Sequence, residues 1–263
     1  MPSVCSVPSV ANSLHTFENR CRTRRCDMEQ YGKFGRFYDA VMGNRAESAA
    51  FIHNLIRRHK PEAKTLLELA CGTGAVLQRL SKYYQVAGLD ISIEMLSVAR
   101  KKLPGARLVQ SDMVSFELGQ KFDVIICVFD SINHILSFAD WGRVFRRVTR
   151  HLAPGGLFLF DINTEHKLRR HIREPAWVMP FDGHLLIMDV TDAGRGVSNW
   201  NIKVFERQTK DIYKLFEEDI QEISFPVERI REALLEKFKA VTIIDPGRRR
   251  PSELSETLYF LCR

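Results

Sequence analysis

The chain has 263 residues, of which 45% are apolar and 27% charged. At ~150 residues per domain, that length suggests one large domain or one domain with an insertion. The composition excludes a disordered, collagenous or low-complexity polypeptide. A net charge of +7 permits anionic partners without requiring them, and no apolar run approaches the ~18 residues a membrane span needs.

Residues 1–27 differ from the rest. Ser3, Ser6, Ser9 and Ser13 and Arg20, Arg22, Arg24 and Arg25 are accompanied by only two acids, Glu18 and Asp27. The apolar stretch of a secretory signal is missing. This segment is expected to be a disordered tail, or an extension upstream of a start at Met28, with a transit sequence as the alternative.

From Thr65 the pattern alternates. Thr65–Ala70 is predicted as a buried strand, Ala75–Tyr83 as a helix and Gln85–Asp90 as a second strand. Ser92–Leu103 follows as a helix, capped by Ser92, with Met95, Leu96 and Ala99 on one face. Ala106–Gln110 is a third strand. Phe122–Phe129 is a fourth, almost wholly apolar, as suits a strand covered on both faces. In the helix predicted over Ala139–Leu152, Trp141, Val144, Phe145, Val148 and Leu152 recur at helical spacing. Arg143, Arg146, Arg147 and Arg150 fall between them, on the solvated face. Pro154-Gly155-Gly156 breaks the helix, and Leu157–Ile162 is a fifth strand. Strand–helix alternation of this kind gives a parallel sheet with right-handed crossovers, a doubly wound α/β fold.

At about Ala176 the period changes to two. Trp200, Ile202 and Val204 alternate with Asn201 and Lys203, and Asp192–Gly196 and Thr209–Asp211 read as turns. Three or four antiparallel strands are predicted over 176–225, as a small sheet inserted into the main domain (28–175 and 226–263). Pro226 opens a helix to about Phe238, and Val241–Asp245 and Thr257–Cys262 are the last strands. Cys5, Cys21, Cys26, Cys71, Cys127 and Cys262 form no paired C-x-x-C motif. That spacing suggests free thiols in a reducing, cytoplasmic setting, and no metal is expected.

The strongest chemical signal is Glu68-Leu-Ala70-Cys71-Gly72-Thr-Gly74, running from a buried strand into a helix. Its glycines let the backbone turn tightly and approach a ligand, and the next helix presents free N–H groups. Dinucleotide sites share this feature. Here the third glycine is missing, and Glu68 would repel a pyrophosphate while tolerating an ammonium or sulfonium. Asp90 ends the second strand, where a carboxylate can accept both ribose hydroxyls.

These residues resemble the class I S-adenosylmethionine-dependent methyltransferases, over roughly Tyr31 to the C-terminus. Gly88-Leu-Asp90, Ser111-Asp112-Met113, Phe122–Phe129 and Leu152-Ala-Pro-Gly-Gly156 match further motifs in order. The resemblance implies a Rossmann-like seven-stranded sheet whose last strand is antiparallel, lying between the fifth and sixth. It also implies S-adenosylmethionine as cofactor. Gly72 and Gly74 would pack under its methionine and ribose parts, Asp90 would hold the ribose, and Ile91 would cover one adenine face. Asp112 would accept the adenine amino group beside Met113, with Val128 and Phe129 at the methionine end. Glu68, Ala70, Cys71 and Met95 complete the cofactor set.

Tyr31-Gly-Lys-Phe-Gly-Arg-Phe-Tyr38-Asp39 resembles the opening of small-molecule methyltransferases acting on sugar amines and glycine, in which an aromatic segment closes over the cofactor. Tyr31 and Tyr38 take that role, Tyr31 also at the acceptor. The stretch Phe129-Asp-Ser-Ile-Asn-His134 resembles the sugar-amine subgroup. His134 is therefore the residue expected to orient or deprotonate the acceptor. No Asn-Pro-Pro-Tyr or Asp-Pro-Pro-Tyr sequence is present, which weighs against a nucleic-acid substrate. Trp177, Phe181 and Trp200 are candidate walls of an acceptor pocket roofed by the inserted sheet. The implied reaction is methyl transfer to nitrogen or oxygen of a small molecule. The competing readings are an RNA methyltransferase, a non-catalytic cofactor-binding protein and, more distantly, an NAD-dependent dehydrogenase.

Overall fold

A computed structural model describes residues 32–263. Two helices open it, the short α1 (Tyr38–Met42) and the longer α2 (Ala46–His59). There follow β1 (Thr65–Leu69), α3 (Ala75–Leu80), β2 (Gln85–Asp90), α4 (Ile93–Lys102), β3 (Arg107–Gln110) and β4 (Phe122–Cys127). A 3-10 turn at Ser131–His134 leads to α5 (Phe138–His151), β5 (Leu152–Asn163) and α6 (Glu165–Arg173). Next come β6 (Trp177–Phe181), β7 (His184–Gly194), β8 (Val197–Arg207) and β9 (Tyr213–Ile223), and the chain ends with α7 (Val227–Leu235), β10 (Val241–Ile244) and β11 (Thr257–Cys262).

β1 to β5 and β10 to β11 form a seven-stranded sheet in the order β10-β11-β5-β4-β1-β2-β3. The first five strands pair in parallel, while β11 runs antiparallel to both β5 and β10 between them. The expected doubly wound sheet with its reversed last strand is therefore present. The central strands are largely apolar because both faces are covered. Leu66, Val124, Ile126, Leu157 and Leu159 face one core with Ile52 and Ile56 of α2. Their neighbours Leu67, Ile125, Cys127, Phe158 and Phe160 face the other, against Trp141, Val144 and Phe145 of α5. Strand order reverses between β1 and β4, and ligands of open α/β sheets bind in the crevice at such a point.

Several boundaries differ from expectation. α2 was not predicted, although Ile52, Leu55 and Ile56 already lie at helical spacing. β5 begins at Leu152 rather than Leu157, because Phe122 pairs with Leu152 and Val124 with Leu157. Ala153-Pro154-Gly155-Gly156 is thus accommodated as a bulge rather than a break, helped by the left-handed Gly155 (φ 66°). α7 starts after its N-cap Pro226 and stops at Leu235, short of the predicted Phe238.

β6 to β9 form a separate four-stranded antiparallel sheet. Turn residues Arg195 (φ 56°) and Gly196 (φ 80°) let β7 fold back into β8. The sheet's inward row, including Leu186, Trp200, Val204 and Ile220, packs against Phe34 and Phe37 from the N-terminal segment. The Glu218 carboxylate on β9 accepts the amides of Gly32 and Phe34 at 3.0 and 2.9 Å, fixing that segment over the sheet.

Gly74 sits where β1 turns into α3, at φ 71°, and a Cβ there would lie 3.1 Å from both Ala99 and Leu103 of the α4 region. Gly74→Ala is expected to cost about 1–3 kcal/mol through left-handed strain and crowding. A chemical-denaturation midpoint that falls at unchanged slope would agree, and an unshifted midpoint would contradict it.

Candidate functional site

The turn after β1 is built from left-handed residues, with Ala70 at φ 51°, Gly72 at 52° and Gly74 at 71°. A Cβ at Gly72 would meet no atom within 4 Å, so its backbone faces open space. Asp90, at the end of β2, holds this turn. Its Oδ2 accepts the Gly72 amide at 2.7 Å and its Oδ1 the Ser92 amide at 2.9 Å. Burial pushes the Asp90 carboxyl up, opposed by the amides of Ser92, Gly72 and Ile91. Ser92 then caps α4, its Oγ accepting the Met95 amide at 3.2 Å.

Glu68 lies beside this turn, only 3% exposed, and its Oε2 has no hydrogen-bond partner among the described residues. Burial and the nearby Asp90 charge hold its carboxyl well above the usual range. A buried orphaned carboxyl is costly unless a ligand completes it. The cleft it lines is also bounded by Tyr38, Gly72, Val128, Phe129 and Ser131. Glycine backbone, ribose-competent carboxylate and an acid lacking a cation together fit S-adenosylmethionine, and fit a dinucleotide pyrophosphate poorly.

The N-terminal segment closes one side. Thr73 Oγ1 donates to Asp39 Oδ1 at 2.6 Å, and Lys102 pairs with the other Asp39 oxygen. The Arg45 guanidinium lies 4.1 Å from the centre of the Phe129 ring. Burial, with Asp130 and Glu68 nearby, pushes the Tyr38 hydroxyl up to about 12 despite the adjacent Arg45. Asp39, Arg45 and Thr73 were not assigned roles from the sequence. Only the Tyr-Asp pair hinted at Asp39.

Beyond β4, Phe129 (φ 59°) and Asp130 (φ 52°) are consecutive left-handed residues without glycine's freedom, a strain that persists only where surroundings impose it. In the following turn, Asn133 Nδ2 donates to the carbonyls of Asn163 and Ile223 at 2.9 and 2.8 Å. It thereby ties the end of β5 to the end of β9. The half-buried His134 approaches the Gln221 carbonyl through Nδ1 at 3.2 Å, and burial lowers its pKa. Ligating atoms of Asp130, His134 and Glu222 lie within 4.8 Å of one another. The Asn163 side-chain amide bridges Asp130 Oδ2 and Glu222 Oε2 at 2.9 and 3.0 Å.

Tyr38, Glu68, Ala70, Cys71, Gly72, Val128 and Phe129 thus meet around one cleft. Gly74 lies beneath it. Ile91 is half-buried and Met95 buried, and neither lines it. Asp112 is exposed, its Oδ1 accepting the Val114 amide at 2.8 Å, while Met113 packs against the core beside Cys127. Tyr31 and residues 1–27 fall outside the described residues. Trp177, Phe181 and Trp200 do not line the cleft. Trp200 is buried in the four-stranded sheet's own core, Phe181 packs on Phe37 and Trp177 meets His171 edge-on. Arg143, Arg146, Arg147 and Arg150 line a separate depression with Val114 and Ser115. Arg143 pairs with Asp140 and Arg147 with Glu117.

Known proteins resemble this chain in sequence and fold. A methyltransferase-domain family profile matches residues 66–156. A dTDP-3-amino-3,6-dideoxy-alpha-D-glucopyranose N,N-dimethyltransferase of Streptomyces fradiae is 36% identical over 135 residues, covering 49% of this chain and 53% of that protein. The chain spans about half the length of the sugar N,N-dimethyltransferases it matches (53%, 49% and 52%). A solved S-adenosylmethionine-dependent methyltransferase from Clostridium acetobutylicum superposes with a TM-score of 0.77 at 27% identity, covering 88% of this chain and 98% of that one. Streptomyces venezuelae DesVI gives 0.74 at 25% identity, covering 89% and 97%. Among the described residues no helix is long and apolar enough to cross a membrane.

Asp161, 4% exposed, is pushed by burial and Asp130 from 3.8 up to about 8. The folded state therefore holds an extra proton between those values. The associated stability is complete below about pH 4 and lost as pH rises through about 8. Asp161→Asn keeps the neutral shape. Its stability advantage over wild type is expected to grow across that window, and parallel thermal-unfolding curves would contradict this.

Proposed function

We propose that the chain is a class I S-adenosylmethionine-dependent methyltransferase that methylates a nitrogen of a small, sugar-like amine. The observation that carries this reading is the buried, orphaned Glu68 oxygen beside the glycine turn, which calls for a cationic ligand there. Gly72 and Asp90 would hold the ribose, Ile91, Asp112 and Met113 the adenine, and Val128 and Phe129 the methionine end. Gly74, Ala70, Cys71 and Met95 shape the turn and the helix behind it. Tyr38, and Tyr31 ahead of it, would cover the cofactor.

When bound, the cofactor supplies an activated methyl group on a sulfonium that is already a good leaving group. The task left to the protein is to place an unprotonated amine in line with it and to exclude water. His134 suits the acceptor side, since burial keeps its imidazole neutral near pH 7. The inserted segment 176–225 would roof the acceptor pocket over the main domain, with 1–27 as a tail. A small molecule is favoured over nucleic acid, because the arginine-lined depression is separate from the cleft and two of its arginines are ion-paired. Buried free Cys71, Cys127 and Cys262 support a cytoplasmic setting.

The test is incubation with S-adenosylmethionine and the dTDP-3-amino-3,6-dideoxy-glucopyranose used by the Streptomyces fradiae relative, followed by mass spectrometry. N-methylated sugar is expected; methylation of RNA with no amine product would contradict the reading. Asp90→Ala should weaken S-adenosylhomocysteine binding by roughly 1.5–3 kcal/mol through lost charge-assisted hydrogen bonds. Wild-type affinity by calorimetry would remove Asp90 from the ribose site.

A further inference from the structure

An amine that arrives as ammonium must lose a proton before it can attack, and no residue of the sequence motifs is an obvious acceptor except His134. The fold brings two carboxyl groups to His134 from distant parts of the chain. Asp130 follows β4, between cleft-lining Phe129 and Ser131. Glu222, 5% exposed, comes from β9 of the four-stranded sheet. Their oxygens and a His134 nitrogen lie within 4.8 Å of one another.

We propose that Asp130 and Glu222 seat the ammonium group of the acceptor and take up its proton. This rests on the amine-methylation reading above. In the step, one N–H bond breaks, its electron pair stays on nitrogen as the attacking lone pair, and the proton passes to the carboxyl pair. The surroundings suit the task. Asn163 Nδ2 donates to one oxygen of each acid, and the two carboxyls hydrogen-bond each other, which holds the pair together. Lys167 Nζ, 2.7 Å from Asn163 Oδ1, stands behind that amide. Asp161 accepts the Asp130 amide at 3.3 Å, orienting the strained residue. Burial and the neighbouring Asp130 push the Glu222 carboxyl well up.

Sinefungin tests this without a known acceptor, because it carries an ammonium group where S-adenosylmethionine carries its methyl sulfonium. Calorimetry on the full chain should show sinefungin binding about tenfold or more tighter than S-adenosylhomocysteine, as expected for a charge-assisted contact. In Glu222→Gln and Asp130→Asn that preference should fall to about twofold or less, with S-adenosylhomocysteine affinity unchanged. A preference absent from wild type, or kept in both variants, overturns the proposal. The two readings fail separately. A chain with the preference that methylates no amine loses the proposed function, and one that methylates an amine without the preference loses the carboxyl pair's role.

Discussion

The Asp90 carboxylate binds two backbone amides at once, Gly72 across the strand boundary and Ser92 in its own turn. That contact fixes the loop after β1 against the end of β2. The left-handed Ala70, Gly72 and Gly74 can then bring main-chain atoms to the cleft surface instead of side chains. A side chain at Gly72 would project into the space a ligand needs. The buried carboxylate is expensive to desolvate, and the two amides are what make its position sustainable. Everything proposed for the cofactor follows from a rigid turn with a carboxylate behind it and a second acid, Glu68, beside it, one of whose oxygens has no partner among the described residues.

The same logic extends to the acceptor side. Beyond β4 come two strained residues, Phe129 and Asp130, and the polar groups of Asn133 and Asn163 join that end to β5 and β9. The four-stranded sheet is therefore more than a cover. It delivers Glu222 and the Gln221 carbonyl to His134 and Asp130. The N-terminal segment completes the enclosure through Glu218 on one sheet and Asp39 on the glycine turn.

Local signals in the sequence carry far. The apolar strands β1, β4 and β5 are recognisable because helices cover both of their faces, and the change to period two at β8 marks the inserted sheet. The glycine turn, Glu68 and Asp90 are adjacent in sequence or one strand apart, so their association follows from short-range pattern. Asp130 and Glu222 are not legible in this way. They meet only because β9 folds back across the end of β5, and no periodicity reports that contact. Arg45 on Phe129 and Asp39 on Thr73 are hidden for the same reason. The aromatic residues of the insert mislead in the opposite direction: Trp200 and Phe181 fill the sheet's own core, where burial rather than ligand contact selects them.

The most direct measurement of the central claim is a calorimetric titration of the full chain with S-adenosylmethionine, set beside one with NADH. The account predicts saturable one-site binding of the first and none of the second. A chain that ignored S-adenosylmethionine and took up NADH would contradict it at the glycine turn itself.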